Sequence, residues 1–196
     1  MSKRKPKQTA PAGKRTPPTT ALRQALARRK KAELVDVLLE LAQADRAIAR
    51  QLTARFDVAV APDGLVAATR QAIADATAFD ARDINRNFDY DYEAYHEVKR
   101  NLERLIGARQ WRLAMQLALE LMKQGSYQVE MSDEGMMTQE IEDCLSVVLK
   151  ALQECDLRAD QVIAWCSAMR ANDRVGFIAR EPLQSLRNQF EADTAQ

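Results

Sequence analysis

One stretch in the last third of the chain places apolar side chains at a strict helical spacing. Counting from Ile141, further apolar residues follow three, four, seven and eleven positions later. This spacing returns to one side of an α-helix, whereas a half-buried strand needs an apolar residue at every second position. The stretch therefore predicts a helix that packs one face against a core. Its members are Ile141, Cys144, Leu145, Val148 and Leu152.

Similar spacings recur along the chain and predict eight or nine helices. An apolar face that begins at Leu34 is separated by a turn near Asp45 from a second helix, so we expect a helix pair there. Residues 110–123 are apolar around much of the helix circumference, which predicts the most buried and most central helix. Gly107 and Gly125 are expected to end the helices that precede them, since glycine is common at helix C-caps.

Signals for β-structure are scarce in this sequence. It has no alternating apolar run of useful length and no Asn-Gly hairpin signal. We therefore predict an all-α fold built as an array of short antiparallel helix pairs. Two arrangements stay open, an irregular bundle and an α-solenoid of the HEAT or tetratricopeptide kind, and no strict repeat period is visible. The predicted organisation is a disordered basic tail over residues 1–20, a single helical domain over 21–190 and a C-terminal tail over 191–196.

Charge is distributed very unevenly along the chain. Residues 1–31 hold 11 lysines and arginines and no acid, out of 29 basic and 28 acidic residues in the whole chain. The remaining residues therefore carry 18 basic against 28 acidic side chains, a formal charge of −10. Prolines, a glycine and threonines interrupt residues 1–20, which predicts disorder there and a first helix that begins near Thr20.

Three interpretations of the basic tail remain open. It is a solubilising extension that folds back loosely on the acidic body, a contact for nucleic acid phosphates, or a cleaved organelle-targeting peptide. Its prolines and lysines argue against the targeting peptide. Under the second interpretation the candidate phosphate contacts are Lys3, Arg4, Lys5, Lys7, Lys14, Arg15, Arg28, Arg29, Lys30 and Lys31.

The three cysteines do not make a disulfide framework. Cys144, Cys155 and Cys166 lie in or beside apolar periodic segments, and we interpret them as small core residues in a reducing compartment. No stretch has the eighteen or more uncharged apolar residues that read as a membrane span. These observations predict a protein without a membrane association, located in the cytoplasm or, if the tail binds nucleic acid, at the nucleoid.

A short segment before one predicted helix combines aromatic and acidic residues with the only histidine of the chain. We interpret it as a candidate surface for a protein partner, because acids and aromatic rings together can hold a lysine or arginine side chain. The alternative is structural, with the rings packed on a neighbouring helix and the acids favouring a helix N-terminus. The candidate residues are Phe88, Asp89, Tyr90, Asp91, Tyr92, Glu93, Tyr95 and His96.

The sequence offers no catalytic, cofactor or metal site. Glu93 and His96 have the spacing of a di-iron motif, but such sites need two motifs and the chain has one histidine. The cysteines lack the paired spacing of a zinc site, and no glycine-rich phosphate loop is present. The acidic turn around Ser132 does not fit a calcium loop, and we expect Ser132 or Asp133 to cap the next helix.

One family resemblance emerges from these segments. The aromatic stretch from Phe88 to Tyr90, the residues Ala118–Leu121 and the acidic turn Glu130–Gly135 occur in that order, after a leading helix pair. Over residues 33–190 the chain resembles the uncharacterised helical region found C-terminal to SWIM-type zinc fingers in some bacterial proteins. The resemblance implies a helical fold and supplies no catalytic residue. The zinc finger itself is absent from the sequence.

These features favour a non-enzymatic protein-interaction or scaffolding module of helical-repeat type, with an acidic body and a basic tail. The alternative is a nucleic-acid-associated accessory protein that binds the phosphate backbone through its tail. A protein partner is expected in the first case and a nucleic acid in the second. No cofactor is expected in either.

Overall fold

The computed structural model describes residues 18–56, 62–78, 80, 90–133 and 135–194. In these residues all regular secondary structure is helical, which confirms the predicted all-α fold. None of the helices within the described ranges combines the length and the apolar character that crossing a membrane requires. The described residues form nine helices, α1 (Pro18–Ala27), α2 (Lys31–Ala44), α3 (Arg46–Arg55), α4 (Pro62–Ala76), α5 (Tyr92–Gly107), α6 (Trp111–Met131), α7 (Thr138–Leu152), α8 (Ala159–Asn172) and α9 (Arg180–Thr194).

Contacts along the chain divide it into two units, Met1–Leu52 and Thr53–Gln196. The first unit contains α1, α2 and most of α3, and the second contains α4 to α9. Residues 1–17, which make up most of the expected disordered tail, lie outside the described residues. The predicted domain boundaries at residues 21 and 190 stay a prediction.

Helices of the first unit begin and end close to the predicted signals. α1 begins at Pro18, near the expected start at Thr20, and proline suits the first turn of a helix because it lacks a backbone N–H. Asp45 donates its backbone N–H to the Leu41 carbonyl at 2.9 Å, and its side chain accepts the Ala47 N–H at 2.8 Å. The same aspartate therefore closes α2 and caps α3, which confirms the predicted turn.

α6 is the central helix of the second unit. It makes extensive contact with α4, α5, α7 and α8 and buries ten residues. The indole Nε1 of Trp165 in α8 donates to the Met115 carbonyl at 2.8 Å, and the Ser126 hydroxyl donates to the Asn172 carbonyl at 2.9 Å. The central position predicted for residues 110–123 is therefore confirmed.

The helices of the second unit follow a layered order. Extensive contacts join α4 with α6, α5 with α7, α6 with α8 and α7 with α9, in addition to most sequential neighbours. Among the described helices of this unit, no extensive contact joins two that are more than two places apart in the chain. Contact limited to near neighbours is characteristic of solenoids, so the order favours the α-solenoid alternative over the irregular bundle.

The prediction that a glycine ends each of two helices is confirmed for Gly107 and wrong for Gly125. α6 runs through Gly125 to Met131, and Gly125 lies against the Ile141 side chain of α7. A Cβ atom on Gly125 would lie 2.7 Å from Ile141 Cδ1 and 3.1 Å from its Cγ1, so the Ile141 side chain would have to shift. Gly107 does end α5, but the residue in the left-handed region is Arg109, with φ 55°.

The turn before α7 is closed by Ser132, and the prediction that Ser132 or Asp133 caps α7 is wrong. The Ser132 hydroxyl accepts the Gly135 N–H at 2.7 Å, three residues before the helix begins. The N-cap residue is Met137, whose side chain is buried and makes no capping hydrogen bond. The apolar stripe of α7 itself is buried as predicted at Ile141, Cys144, Leu145, Val148 and Leu152.

Candidate functional site

The aromatic and acidic segment is only partly a surface. Phe88 and Asp89 lie outside the described residues. α5 begins at Tyr92, where the Asp91 side chain accepts the Ala94 N–H at 2.9 Å. Asp91 is therefore a helix cap, as the structural interpretation of the acids expected.

Tyr95 belongs to the core and does not contribute to a partner surface. Its side chain is 1% exposed, and its hydroxyl donates a hydrogen bond to Gln128 Oε1 in α6. Gln128 Nε2 donates in turn to the Ala76 carbonyl at the end of α4, at 3.1 Å. Burial above all, with the nearby Cys144, raises the pKa of the Tyr95 phenol, so it stays protonated and can donate. This chain of hydrogen bonds joins three helices.

Tyr90 is tied to α7 by a similar contact. Its hydroxyl donates to Glu140 Oε1 at 2.7 Å, and its ring meets the Tyr95 ring edge-on with centroids 6.3 Å apart. Burial and the hydrogen bond to Glu140 raise the pKa of the Tyr90 phenol. The two tyrosines therefore fasten the start of α5 to α6 and α7.

The exposed remainder of the segment consists of Tyr92, Glu93 and His96. The Tyr92 side chain is 48% exposed, and its ring lies 4.3 Å from the His96 ring at a tilt of 51°. These rings edge a groove of about 360 Å³ between α5 and α7. Lys99 and Asp143 line the groove and pair at 3.6 Å, so it carries both signs of charge.

A second groove lies between α7 and the start of α9. Its volume is about 730 Å³, and the exposed Phe177 and the charged Arg180 line it. Glu142 on its wall accepts the Ala179 N–H at 2.9 Å and so holds the entry to α9. The charged group is therefore used to order a loop.

The buried thiols are poorly suited to nucleophilic chemistry. Burial raises the pKa of Cys144 to about 12 and that of Cys166 to about 11, so both stay protonated at neutral pH. Cys144 also donates weakly from Sγ to the Tyr95 carbonyl at 3.3 Å. Cys155 is partly exposed, and none of the three cysteines forms a disulfide. In the part of the chain that the structure describes, no group of three or more histidine, cysteine, aspartate or glutamate side chains could hold a metal ion.

The most unusual surface of the described residues lies on α2, which was expected to pack as one member of a helix pair. No residue of α2 is buried, and five of its large aliphatic side chains are between 38% and 56% exposed. Within the described part of the first unit, α1, α2 and α3 share no extensive contact with one another. A folded protein rarely leaves so many neighbouring aliphatic groups in water unless they contact a partner. The exposed side chains are Val35, Val37, Leu38, Leu39 and Leu41.

The apolar surface of α2 is also unusually wide. Because successive residues of an α-helix are about 100° apart, the leucines and valines of α2 cover about 200° of its circumference. Leu38 lies at the centre of this arc, and the acids Glu33, Asp36 and Glu40 lie on the opposite side. A helix that faces a single core commonly shows an apolar stripe of little more than about 100°. We call this arc the α2 face. Its width follows from the positions of the valines and leucines and could therefore be read from the sequence.

Basic residues stand beside the α2 face. Arg28 and Arg29 follow α1, Lys30 precedes α2 and Lys31 is its first residue, and all four are exposed. The other candidate phosphate contacts of the tail lie outside the described residues. No family model, no curated protein and no solved structure matches this chain.

Proposed function

We propose that this protein is a non-enzymatic protein-interaction module of helical-repeat type whose docking surface is the α2 face. The observation that carries the proposal is the exposure of five large aliphatic side chains on one 14-residue helix. Covering such a surface removes its apolar area from water, which stabilises the complex by about 25 cal/mol for each Å² that is buried. The layered helices of the second unit are suited to a scaffolding role, because solenoid arrays commonly bind proteins along extended surfaces.

The proposal moves the docking surface away from the segment that the sequence first indicated. Tyr90, Asp91 and Tyr95 are engaged in the hydrogen bonds that hold the start of α5. Tyr92 and His96 remain exposed, but the groove beside them mixes two basic with three acidic side chains, and its lysine is already paired with an aspartate. The three free cysteines support a reducing, cytoplasmic location.

Affinity capture with a matched pair of variants tests this function. The full chain, the variant Leu38→Glu and the variant Gln43→Glu serve as baits under identical conditions. Leu38→Glu places a charge at the centre of the α2 face, whereas Gln43→Glu places the same charge on the polar side of the helix. The proposal predicts bound proteins that are retained by the wild type and by Gln43→Glu and lost from Leu38→Glu. An identical set of captured proteins on all three baits would contradict it.

A second candidate function is nucleic acid binding through the basic residues. The run of four exposed bases from Arg28 to Lys31 supports it, because each base that neutralises a phosphate releases a counterion. Fluorescence anisotropy with short DNA and RNA at low and physiological salt tests this function. The triple variant Arg28→Gln, Arg29→Gln, Lys30→Gln should bind more weakly and with a shallower salt dependence than the wild type. If the triple variant and the wild type bind with equal affinity at each salt concentration, these residues do not contact the nucleic acid.

A further inference from the structure

The α2 face carries opposite charges at its two ends. Lys31 and Asp45 lie seven residues before and seven residues after Leu38, the central residue of the face. Lys31 is the first residue of α2, and with about 100° per residue it lies about 20° from the direction of Leu38. Asp45 is the residue that follows the last turn of α2; its backbone is extended, and one of its carboxylate oxygens accepts the Ala47 N–H. Both residues are exposed, so one basic and one acidic side chain stand at opposite ends of the apolar surface.

This arrangement is complementary to itself when two copies of the face run antiparallel. A two-fold axis near Leu38 brings the Lys31 end of one copy beside the Asp45 end of the other, and repeats that pairing by symmetry. A parallel arrangement would bring lysine beside lysine and aspartate beside aspartate, which is repulsive. Antiparallel packing also places the positive N-terminal end of each helix dipole beside the negative C-terminal end of the other, which is favourable.

The width of the arc fits the same arrangement. An antiparallel partner that crosses at Leu38 contacts residues on both sides of the central line, such as Leu34 and Val35. The acids on the back of the helix stay in water, where their charge needs no partner. Over its 14 residues α2 is about 21 Å long, so the contact extends over about four helical turns.

We propose that the partner of the α2 face is a second copy of this chain, packed antiparallel across a two-fold axis near Leu38. This inference rests on the proposed docking function of α2 and adds the identity and direction of the partner. Apolar contact supplies the affinity, while the Lys31 and Asp45 ends set the direction, since exposed ion pairs contribute more to orientation than to strength.

Sedimentation velocity on the purified full chain, from low to high micromolar concentration, measures the association without any other protein. The expected result is reversible formation of a species of twice the chain mass of 22.1 kDa. Leu38→Glu should weaken this association by at least about a hundredfold, because the axis would bury two unpaired carboxylates. Gln43→Glu should leave it unchanged.

A cross-linking experiment tests the direction of packing. The single variants Lys31→Cys and Asp45→Cys are made in a background with Cys155→Ser, since Cys155 is the one native cysteine that is not buried. In an antiparallel dimer the two copies of position 31 lie about 21 Å apart. A short bismaleimide should therefore join the mixture of the two variants and should not join Lys31→Cys to itself. The reverse pattern would overturn the antiparallel arrangement.

The outcomes separate this inference from the docking function on which it rests. A chain that sediments as a monomer at all concentrations overturns self-association. If Leu38→Glu still loses captured proteins, the docking function stands with a different partner. If capture is also unaffected by Leu38→Glu, both proposals fail.

Discussion

The Tyr95 hydroxyl donates a buried hydrogen bond to the Gln128 side chain, and Gln128 passes the connection on to the Ala76 carbonyl. Residues from α5, α6 and α4 are thereby joined through one glutamine. Both Tyr95 and Gln128 are buried, so neither can exchange its partner for water without local opening.

Tyr95→Phe should destabilise the second unit by about 1–2 kcal/mol, because it leaves the side-chain oxygen Oε1 of Gln128 without its hydrogen-bond donor. Urea denaturation followed by circular dichroism measures this change. Tyr92→Phe is the matched control, since that side chain is half exposed and the same atom is removed at little cost. Equal stability of the two variants would show that the Tyr95 contact does not hold the helices together.

Gly125→Ala should destabilise the protein by about 1–3 kcal/mol, although alanine favours helices, because its Cβ would collide with Ile141 Cδ1. Ile141→Val removes that methyl group, so the double variant should recover part of the loss. Gly107→Ala is the control, since nothing lies within 4 Å of a Cβ there. Thermal unfolding of the wild type, Gly125→Ala, the double variant and Gly107→Ala measures the effect. A Gly125→Ala variant as stable as Gly107→Ala would contradict the close packing of α6 on α7.

Stability should fall as the pH rises above about 9, the ordinary pKa of a thiol. Burial raises the pKa of Cys144 to about 12, so the native state keeps a proton that the unfolded state loses. The unfolded state then binds fewer protons, and the free energy of unfolding decreases by up to about 1.4 kcal/mol per pH unit for this group. Urea denaturation under reducing conditions at pH 8, 9.5 and 10.5 measures the slope. Cys144→Ala should make that slope shallower, and an unchanged slope would argue against this origin.

Thiol labelling should follow burial. Iodoacetamide at pH 8 should modify the partly exposed Cys155 first, whereas Cys144 and Cys166 should react only after unfolding. Mass spectrometry of digests at successive times measures the order of modification. Early labelling of Cys144 in the folded protein would contradict its core position.

Charge reversal at the ends of the α2 face should change the association of the chain. Lys31→Glu places a carboxylate beside the Asp45 end of the second copy, twice per dimer, and should weaken self-association about tenfold. Mixing Lys31→Glu with Asp45→Lys should restore it, because both pairs in the mixed dimer are again of opposite charge. Asp45→Lys also removes the carboxylate that accepts the Ala47 N–H at the start of α3, so Asp45→Asn, which keeps an oxygen there without the charge, is its control. Sedimentation of each variant and of the mixture measures this. A mixture that associates no better than its components would contradict the paired ends.

Much of the second unit could be predicted from spacing alone. The stripe of α7 and the central position of α6 follow from apolar periodicity, since a residue on the apolar side of a helix must face some other element. Gly125 was misjudged because a glycine at a helix end and a glycine at a close contact look alike in sequence. Only the position of Ile141 distinguishes them.

The candidate surface was harder to predict. The sequence placed Tyr95 on the candidate surface together with its aromatic neighbours, whereas the structure directs its side chain into the core toward Gln128. For α2 the sequence revealed an apolar face but not whether another helix covers it. The width of the apolar arc around Leu38 was the one indication in the sequence, and only the structure shows that the side chains of this arc are exposed.

The central claim is that the α2 face is buried against a second copy of this chain. Hydrogen–deuterium exchange of the full chain at several protein concentrations tests this claim most directly. We predict that the backbone amides of α2 exchange more slowly as concentration rises, while those at the start of α5 do not change. In Leu38→Glu the α2 amides should exchange at one rate at every concentration. Exchange of α2 in the wild type that is independent of concentration would contradict its burial against a second copy, and protection that persists unchanged in Leu38→Glu would contradict the α2 face as the contact.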